Sequence, residues 1–398
     1  MNLSNPVFIP GPTNMPEAIR KSIELPTVDH RRPSFKAEIE RLNDDIKKVL
    51  KAEDADLFLF PATGTGGWEA AIANTLRAGD KILACRHGVF SNKWIEMCRG
   101  FGLDVQVIEC DWRGPAQPAL IQQALEADTK GEIRAVLATH NETATGVKSD
   151  LCAIRRAIDA ANHDALFFVD GVSSIASMDF RMTEWGIDVA VTGSQKGFML
   201  PAGVAIVAVR ERALAASKTA NLPKFFFDFG QMTTTIASGG YPYTPPTQLL
   251  AGLQLACDML LEEGLEAVFD RHFYIAEGVR RAVKAWGMEI CANSHCCESD
   301  TVTTVILPEG CDGAALTGHV YERYQMSFGV GLGQFAGKAF RIGHLGLLSE
   351  SQMLCGLATI EMAMKDLDFP IELGSGVAAA QAWYCREMSL SQSAKEVA

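Results

Sequence analysis

Four short segments place chemistry-bearing residues at the ends of apolar runs, where an open α/β sheet gathers its ligands. The first, Pro61-Ala62-Thr63-Gly64-Thr65-Gly66-Gly67, lies between an expected strand at 57–60 and an expected helix at 69–76. Its small residues let backbone N–H groups approach an anion, two hydroxyls can donate, and the N-terminus of the following helix favours negative charge. It reads as a phosphate cup, although an ordinary strand-to-helix turn uses the same residues. The second is Asp170, which ends Leu166-Phe167-Phe168-Val169 and begins Asp170-Gly171-Val172-Ser173-Ser174. A carboxylate there either caps a turn or keeps a ring nitrogen protonated, so that the ring withdraws electrons. The third, Ser194-Gln195-Lys196, follows the apolar run 189–192. A lysine leaving a buried strand loses solvent, and the lowered pKa makes its amine a nucleophile. Alone, it would read as a surface lysine on a turn. In the fourth, Phe340-Arg341-Ile342-Gly343-His344, a guanidinium set among apolar residues wants a planar anionic partner such as an α-carboxylate. An internal salt bridge is the competing reading.

These residues need a sheet to hold them, and the hydrophobic pattern supplies one. Short runs rich in branched residues alternate with stretches of helical spacing, the pattern of an α/β fold. After Pro33, the residues Ile39, Leu42, Ile46, Val49 and Leu50 share one helical face, with Glu38, Asp44, Lys47 and Lys48 away from it. Strands are expected at 57–60, 81–85, 105–108, 134–138, 166–169, 189–192 and 204–209, giving a mostly parallel sheet covered by helices. Two long helices, 248–262 and 265–286, follow. Then strand, helix, strand and helix at 301–307, 313–324, 339–343 and 350–366 make a smaller α/β domain. No internal repeat or long linker interrupts the chain.

Bulk properties narrow the partners. A chain of 398 residues with 48% hydrophobic and 21% charged residues buries a large core and suits an enzyme. A net charge of -12 argues against a nucleic-acid binder, which needs clustered Lys and Arg. The N-terminus lacks a basic region followed by an apolar core, no window has membrane-spanning length, and the last residues carry no peroxisomal address, so a cytoplasmic protein is expected. Eleven scattered cysteines suit reduced thiols. The densest group, Cys291, His295, Cys296 and Cys297, reads as a loop with buried thiols, because adjacent cysteines strain a tetrahedral zinc site; no metal is expected. Two familiar motifs are also set aside. Gly331-Leu332-Gly333-Gln334-Phe335-Ala336 lies late in the chain without an evident preceding strand and following helix, and Gly146-Val147-Lys148-Ser149 has a valine between the glycine and the lysine of a P-loop.

A phosphate cup, an acidic ring partner, a lysine and a carboxylate clamp together are the parts of a pyridoxal phosphate enzyme acting on amino acids. At this point the chain resembles the class V, fold-type I aminotransferases, and among them the glyoxylate aminotransferases that use aspartate, serine or alanine. The resemblance runs from Phe8-Ile9-Pro10-Gly11-Pro12-Thr13-Asn14 to Gly374-Ser375-Gly376-Val377. It rests most on His140-Asn141-Glu142-Thr143-Ala144-Thr145-Gly146, Asp170-Gly171-Val172-Ser173-Ser174, Gly193-Ser194-Gln195-Lys196 and Phe340-Arg341-Ile342-Gly343-His344-Leu345-Gly346.

The resemblance implies a large cofactor-binding domain at 21–265, a small C-terminal domain at 266–398, and an extended segment at 1–20 near the substrate. It implies that Lys196 carries pyridoxal phosphate as a Schiff base, with Thr63, Gly64 and Thr65 at the phosphate and Phe90 stacked on the ring. Thr143 would lie near the phenolic oxygen, Asp170 at the ring nitrogen, Val172 beneath the ring and Gln195 beside Lys196. Tyr241 and Thr244 would reach the phosphate of a neighbouring subunit in a homodimer, and Arg341 would clamp the substrate α-carboxylate. The implied reaction moves an amino group to glyoxylate, giving glycine. Aspartate is favoured as donor over serine, and Arg31, Arg32 and Lys93 are candidates for its side-chain carboxylate. An alanine–glyoxylate or serine–pyruvate reaction is the alternative. A cysteine desulfurase-like lyase is disfavoured because Gln195 stands where that family has His, and a binding-only regulator because no basic domain is spare.

Overall fold

In the computed structural model, which describes residues 6–396 and the side-chain surroundings of residues 6–385, seven strands form the central sheet. Their order is Ala55–Phe60, Ala205–Arg210, Val189–Gly193, Leu166–Asp170, Ile133–Thr139, Lys81–Arg86 and Asp104–Glu109. Only Ala205–Arg210 runs against the others. The four innermost strands are almost wholly buried, which is why they read as continuous apolar runs instead of alternating ones. The expected α/β architecture, a mostly parallel sheet with helices packed on it, is the observed one. Residues 1–5 of the expected N-terminal segment lie outside the described residues, as do the side chains of the final residues read for an address signal.

Helix Phe35–Leu50 buries the predicted face, with Ile39, Leu42, Ile46, Val49 and Leu50 all inside. The helix expected at 69–76 instead spans Gly64–Thr75, so the glycine-rich turn is its first turn. The reason is packing: Gly67 lies so close to Val191 that an added Cβ would come within 2.6 Å of its side chain. Glycines that break an isolated helix therefore let this one lie against the sheet.

A second sheet has the order Val7–Phe8, Ser327–Val330, Ala339–Gly343, Val302–Ile306 and Glu289–Ile290. It carries its own core, including Phe8, Val283, Phe340, Ile342, Leu357 and Ile360. Helix Leu265–Ala285 belongs to both cores, Leu265 and Val268 packing in the first and Ile275, Val279 and Val283 in the second. The expected strand, helix, strand, helix order gains a strand, Ser327–Val330, and a final helix, Ser375–Glu396. Among the described residues no helix is long and apolar enough to cross a membrane.

Candidate active site

Five of the parallel strands end at one edge of the large sheet, and the turn after each carries a site residue. Thr63 follows Ala55–Phe60, Phe90 follows Lys81–Arg86, Thr143 follows Ile133–Thr139, Asp170 ends its own strand, and Lys196 follows Val189–Gly193. Sequence-distant groups converge because strand direction, not chain proximity, sets where the turns emerge.

Thr63 is the N-cap of helix Gly64–Thr75, and its side chain caps nothing. The first helical hydrogen bond is Gly67 N–H to the Thr63 carbonyl, 3.1 Å, so the amides of 64–66 point out of the helix end. Thr63 and Thr65 are exposed and Gly64 is buried. A Cβ on Gly64 would collide with Val172, which brings the cup against the turn after Asp170. Nearby, Gln195 Oε1 is buried without a partner and lies 2.8 Å from where a Cβ on Gly193 would be. Free amides, two hydroxyls and an open helix N-terminus suit a phosphate group.

Asp170 is 4% exposed, and its Oδ1 accepts the Val172 N–H at 2.9 Å. Burial lifts its pKa from 3.8 to about 7, the Val172 amide opposes this, and Glu142 adds to it. Trp68 is close enough to oppose it too, although its Nε1–H is buried without a hydrogen bond. A buried carboxylate held this high wants a cation or a protonated ring nitrogen facing it.

Lys196 retains some open surface, but its amine is surrounded by protein. Burial, then the Arg341 charge, lowers its pKa to about 8, while Asp170 opposes them. The amine donates to the Pro10 carbonyl, and Thr13 Oγ1 donates to the Lys196 carbonyl at 3.4 Å. Gly11, at φ +107°, lies so near that a Cβ would come within 2.5 Å of Lys196 Cδ and 2.7 Å of its Nζ. Both the left-handed backbone and the missing side chain are needed there.

Arg341 is 7% exposed on Ala339–Gly343. Its Nε donates to the Val330 carbonyl at 2.8 Å and its Nη1 to the Thr143 carbonyl at 3.0 Å. Burial lowers its pKa to about 10 and Glu142 raises it. No carboxylate pairs with it among the described residues, and its hydrogen bonds go to backbone carbonyls, which leave its charge uncompensated and suited to an anion. Thr143 Oγ1 donates to Ser173 Oγ at 2.7 Å, which itself donates to the Asn141 carbonyl.

Not every expected residue meets the others within this chain. Tyr241 is buried, with its hydroxyl donating to the Leu59 carbonyl at 2.6 Å, whereas Thr244 is exposed. Of the three cations considered for a second carboxylate, Arg32 is paired with Glu38 and Arg31 is exposed. Lys93 sits 5.7 Å from the Phe90 ring centroid. The sequence reading gave no role to Glu142 or Trp68, and it left the Pro10 carbonyl within a segment only said to lie near the substrate. Each touches or electrostatically couples to a site residue, and only Glu142 and Pro10 lay in quoted motifs.

The motifs set aside stay outside the site chemistry. Lys148 is paired with Asp300 at 3.0 Å. Gly331-Leu332-Gly333 does follow a strand, Ser327–Val330, contrary to expectation, but only a three-residue 3-10 turn, Gly333–Phe335, comes after it. In the cysteine-rich loop, Cys296 is exposed and His295 faces Glu298 at 2.6 Å. Glu277 and Glu298 there are already paired with Arg280 at 2.9 and 3.3 Å.

Comparison with known proteins gives the family. The class-V aminotransferase family profile matches residues 21–318. The L-aspartate–glyoxylate aminotransferase of Paracoccus denitrificans is 57% identical over 98% of this chain and 99% of its own. The serine–glyoxylate aminotransferase of Hyphomicrobium methylovorum is 47% identical over 99% of this chain and 98% of its own. The crystal structure of the Bacillus subtilis ureidoglycine–glyoxylate aminotransferase matches with a TM-score of 0.88 at 26% identity, covering 96% of this chain and 100% of that one. With the profile and the relatives spanning both cores, this chain belongs to the class-V aminotransferases.

Proposed function

We propose that this protein moves an amino group from a small L-amino acid, L-aspartate in preference to L-serine, to glyoxylate, yielding glycine and oxaloacetate or hydroxypyruvate. The observation that carries the reading is the enclosed Lys196 amine, donating to the Pro10 carbonyl with Gly11 packed against its side chain, at the strand ends that also hold Asp170 and the glycine-rich turn. The similarity to an L-aspartate–glyoxylate enzyme over nearly the whole length supports the choice of donor and acceptor.

Pyridoxal phosphate is the cofactor, and when bound it supplies an aldehyde carbon for amine exchange and a ring that takes up the electrons released at Cα. Thr63, Gly64 and Thr65 would hold its phosphate, Phe90 and Val172 its two faces, and Asp170 its nitrogen, with Thr143 and Gln195 at its rim. Arg341 presents its guanidinium to the α-carboxylate and so orients the Cα–H bond. The Lys196 amine would take the proton from Cα and deliver it to the cofactor carbon that carried the aldehyde, so that the amino group stays with the cofactor. In the cofactor-free chain the same amine donates to the Pro10 carbonyl, a contact it gives up when it bonds to the cofactor.

In this reading the large domain is 21–265, the small domain 266–398, and the N-terminal segment, described from residue 6 to 20, lies along the site. The chain acts as a cytoplasmic homodimer in which Thr244 and Tyr241 approach the partner's phosphate. Exposed Phe225 and Phe226, packed against Tyr243 in the same segment, provide apolar surface for that contact. Reaching a partner would require Tyr241 to exchange its bond to Leu59 for one outside the chain. Lys93 is the cation proposed for the donor side-chain carboxylate, because it stands beside Phe90 without an ion pair among the described residues. The test is a panel of aspartate, serine and alanine with glyoxylate, read by glycine formation. Aspartate should be fastest, and no glycine from any donor would defeat the assignment of acceptor.

A further inference from the structure

Helix Val89–Gly100 begins without a cap of its own. Its N-cap is Gly88, which has no side chain, so the first-turn amides need an acceptor from elsewhere. Glu142, 0% exposed in the hairpin that also holds Thr143, provides it. Its carboxylate accepts the Phe90 N–H at 3.1 Å, the Ser91 N–H at 2.9 Å and the Ser91 hydroxyl at 3.1 Å. It also accepts the Ala144 N–H at 3.1 Å, which locks the same side chain to its own turn. The fit leaves no room, because any Cβ on Gly88 would collide with Glu142 Cγ and Cδ. A negative group at a helix N-terminus is also favoured by the helix dipole.

We propose that Glu142 is a positioning residue that sets the Phe90 ring, by capping the helix that carries it, in register with the turn that holds Arg341. Phe90 is the second residue of that helix, so its backbone position is fixed by the amide that Glu142 binds. On the other side, Glu142 is followed by Thr143, whose carbonyl accepts Arg341 Nη1. One carboxylate thus ties the wall proposed for the cofactor ring to the clamp proposed for the substrate. The inference rests on the reading that Phe90 stacks on the cofactor.

The test titrates cofactor-free protein with pyridoxal phosphate and records the dissociation constant and the visible circular dichroism per bound cofactor, alongside Tm. Glu142→Gln removes the charge at nearly constant volume, and loss of hydrogen bonds to a charged group predicts a dissociation constant raised roughly tenfold or more. The dichroism should change, since it reports how the ring is held. Phe90→Leu should raise the constant as well, and the double variant should be no more than about twofold weaker than the worse single one, the mark of residues acting as a unit. If Glu142→Gln proves insoluble, Ser91→Ala removes one donor and should raise the constant roughly twofold to threefold, with the same change in dichroism. A Phe90→Leu protein that binds like the parent overturns the ring reading and this inference with it. A Phe90→Leu effect with an unchanged constant and dichroism in Glu142→Gln overturns the inference alone, as does a lowered Tm with multiplicative effects in the double variant.

Discussion

Asp170→Asn separates what the fold loses by holding a buried carboxylate from what the reaction gains. Burial lifts the Asp170 pKa from 3.8 to about 7. At ~1.4 kcal/mol per tenfold change in a proton equilibrium, that lift disfavours the ionised form by about 4 kcal/mol in the cofactor-free chain. A raised folded pKa means that the native state holds its proton more tightly than the unfolded one. The associated stability is therefore complete below about pH 4 and is lost as the pH rises through 7. Asn keeps the shape and the bond from Val172 N–H but cannot ionise, and its own buried N–H group costs ~1–3 kcal/mol. Urea unfolding of cofactor-free protein at pH 5 and 8 should show the Asp170→Asn variant gaining on the parent by ~1–3 kcal/mol over that interval. Turnover of the cofactor-loaded variant should fall roughly a hundredfold or more, since Asn offers no negative charge to keep the ring nitrogen protonated. A stability difference that does not change with pH, or turnover within tenfold of the parent, would refute the reasoning.

Four further outcomes follow from the same site. Cofactor uptake by the apoprotein should accelerate as the pH rises through about 8, because only the neutral Lys196 amine attacks an aldehyde; a rate independent of pH between 6.5 and 9 contradicts this. Arg341→Ala should retain the cofactor but lose kcat/KM for amino acids by roughly a hundredfold, as expected when a charged hydrogen-bonded clamp is removed. Gly11→Ala should lower Tm, because φ +107° strains an alanine, and bind cofactor at least about tenfold more weakly, since its Cβ would displace Lys196; parental Tm and affinity together would contradict this. Lys93→Ala should raise KM for aspartate roughly threefold to fivefold and leave serine unaltered, the modest effect expected of an exposed cation.

The large sheet was legible, and the residues proposed for the site stood out, because each strand is a continuous apolar run that ends in a polar or glycine-rich turn. Asp170, Lys196 and Arg341 stand at ends or within such runs, where a charge is conspicuous. What escaped had no local signal. Val7–Phe8 is a two-residue strand that pairs with Ser327 and Phe328 more than 300 residues away, and that pairing, with Gly329 and Gly343 packed against Pro10, helps bring Pro10 to Lys196. Ser327–Val330 is short and interrupted by Gly329, so it read as loop. Glu142 was visible as a letter in His140-Asn141-Glu142-Thr143, but its function depends on Gly88 leaving a space 54 residues away. Tyr241 illustrates the reverse case, a residue matched by pattern whose hydroxyl is already satisfied at Leu59.

If Lys196 serves a cofactor-dependent transfer of an amino group to glyoxylate, the nitrogen of the donor must reach glycine. The most direct measurement incubates the cofactor-loaded protein with nitrogen-15 aspartate and glyoxylate and follows the label by mass spectrometry. Labelled glycine with an equal amount of oxaloacetate is expected, and no transfer by the Lys196→Ala protein. Unlabelled glycine, oxaloacetate without glycine, or label transfer that survives Lys196→Ala would contradict it.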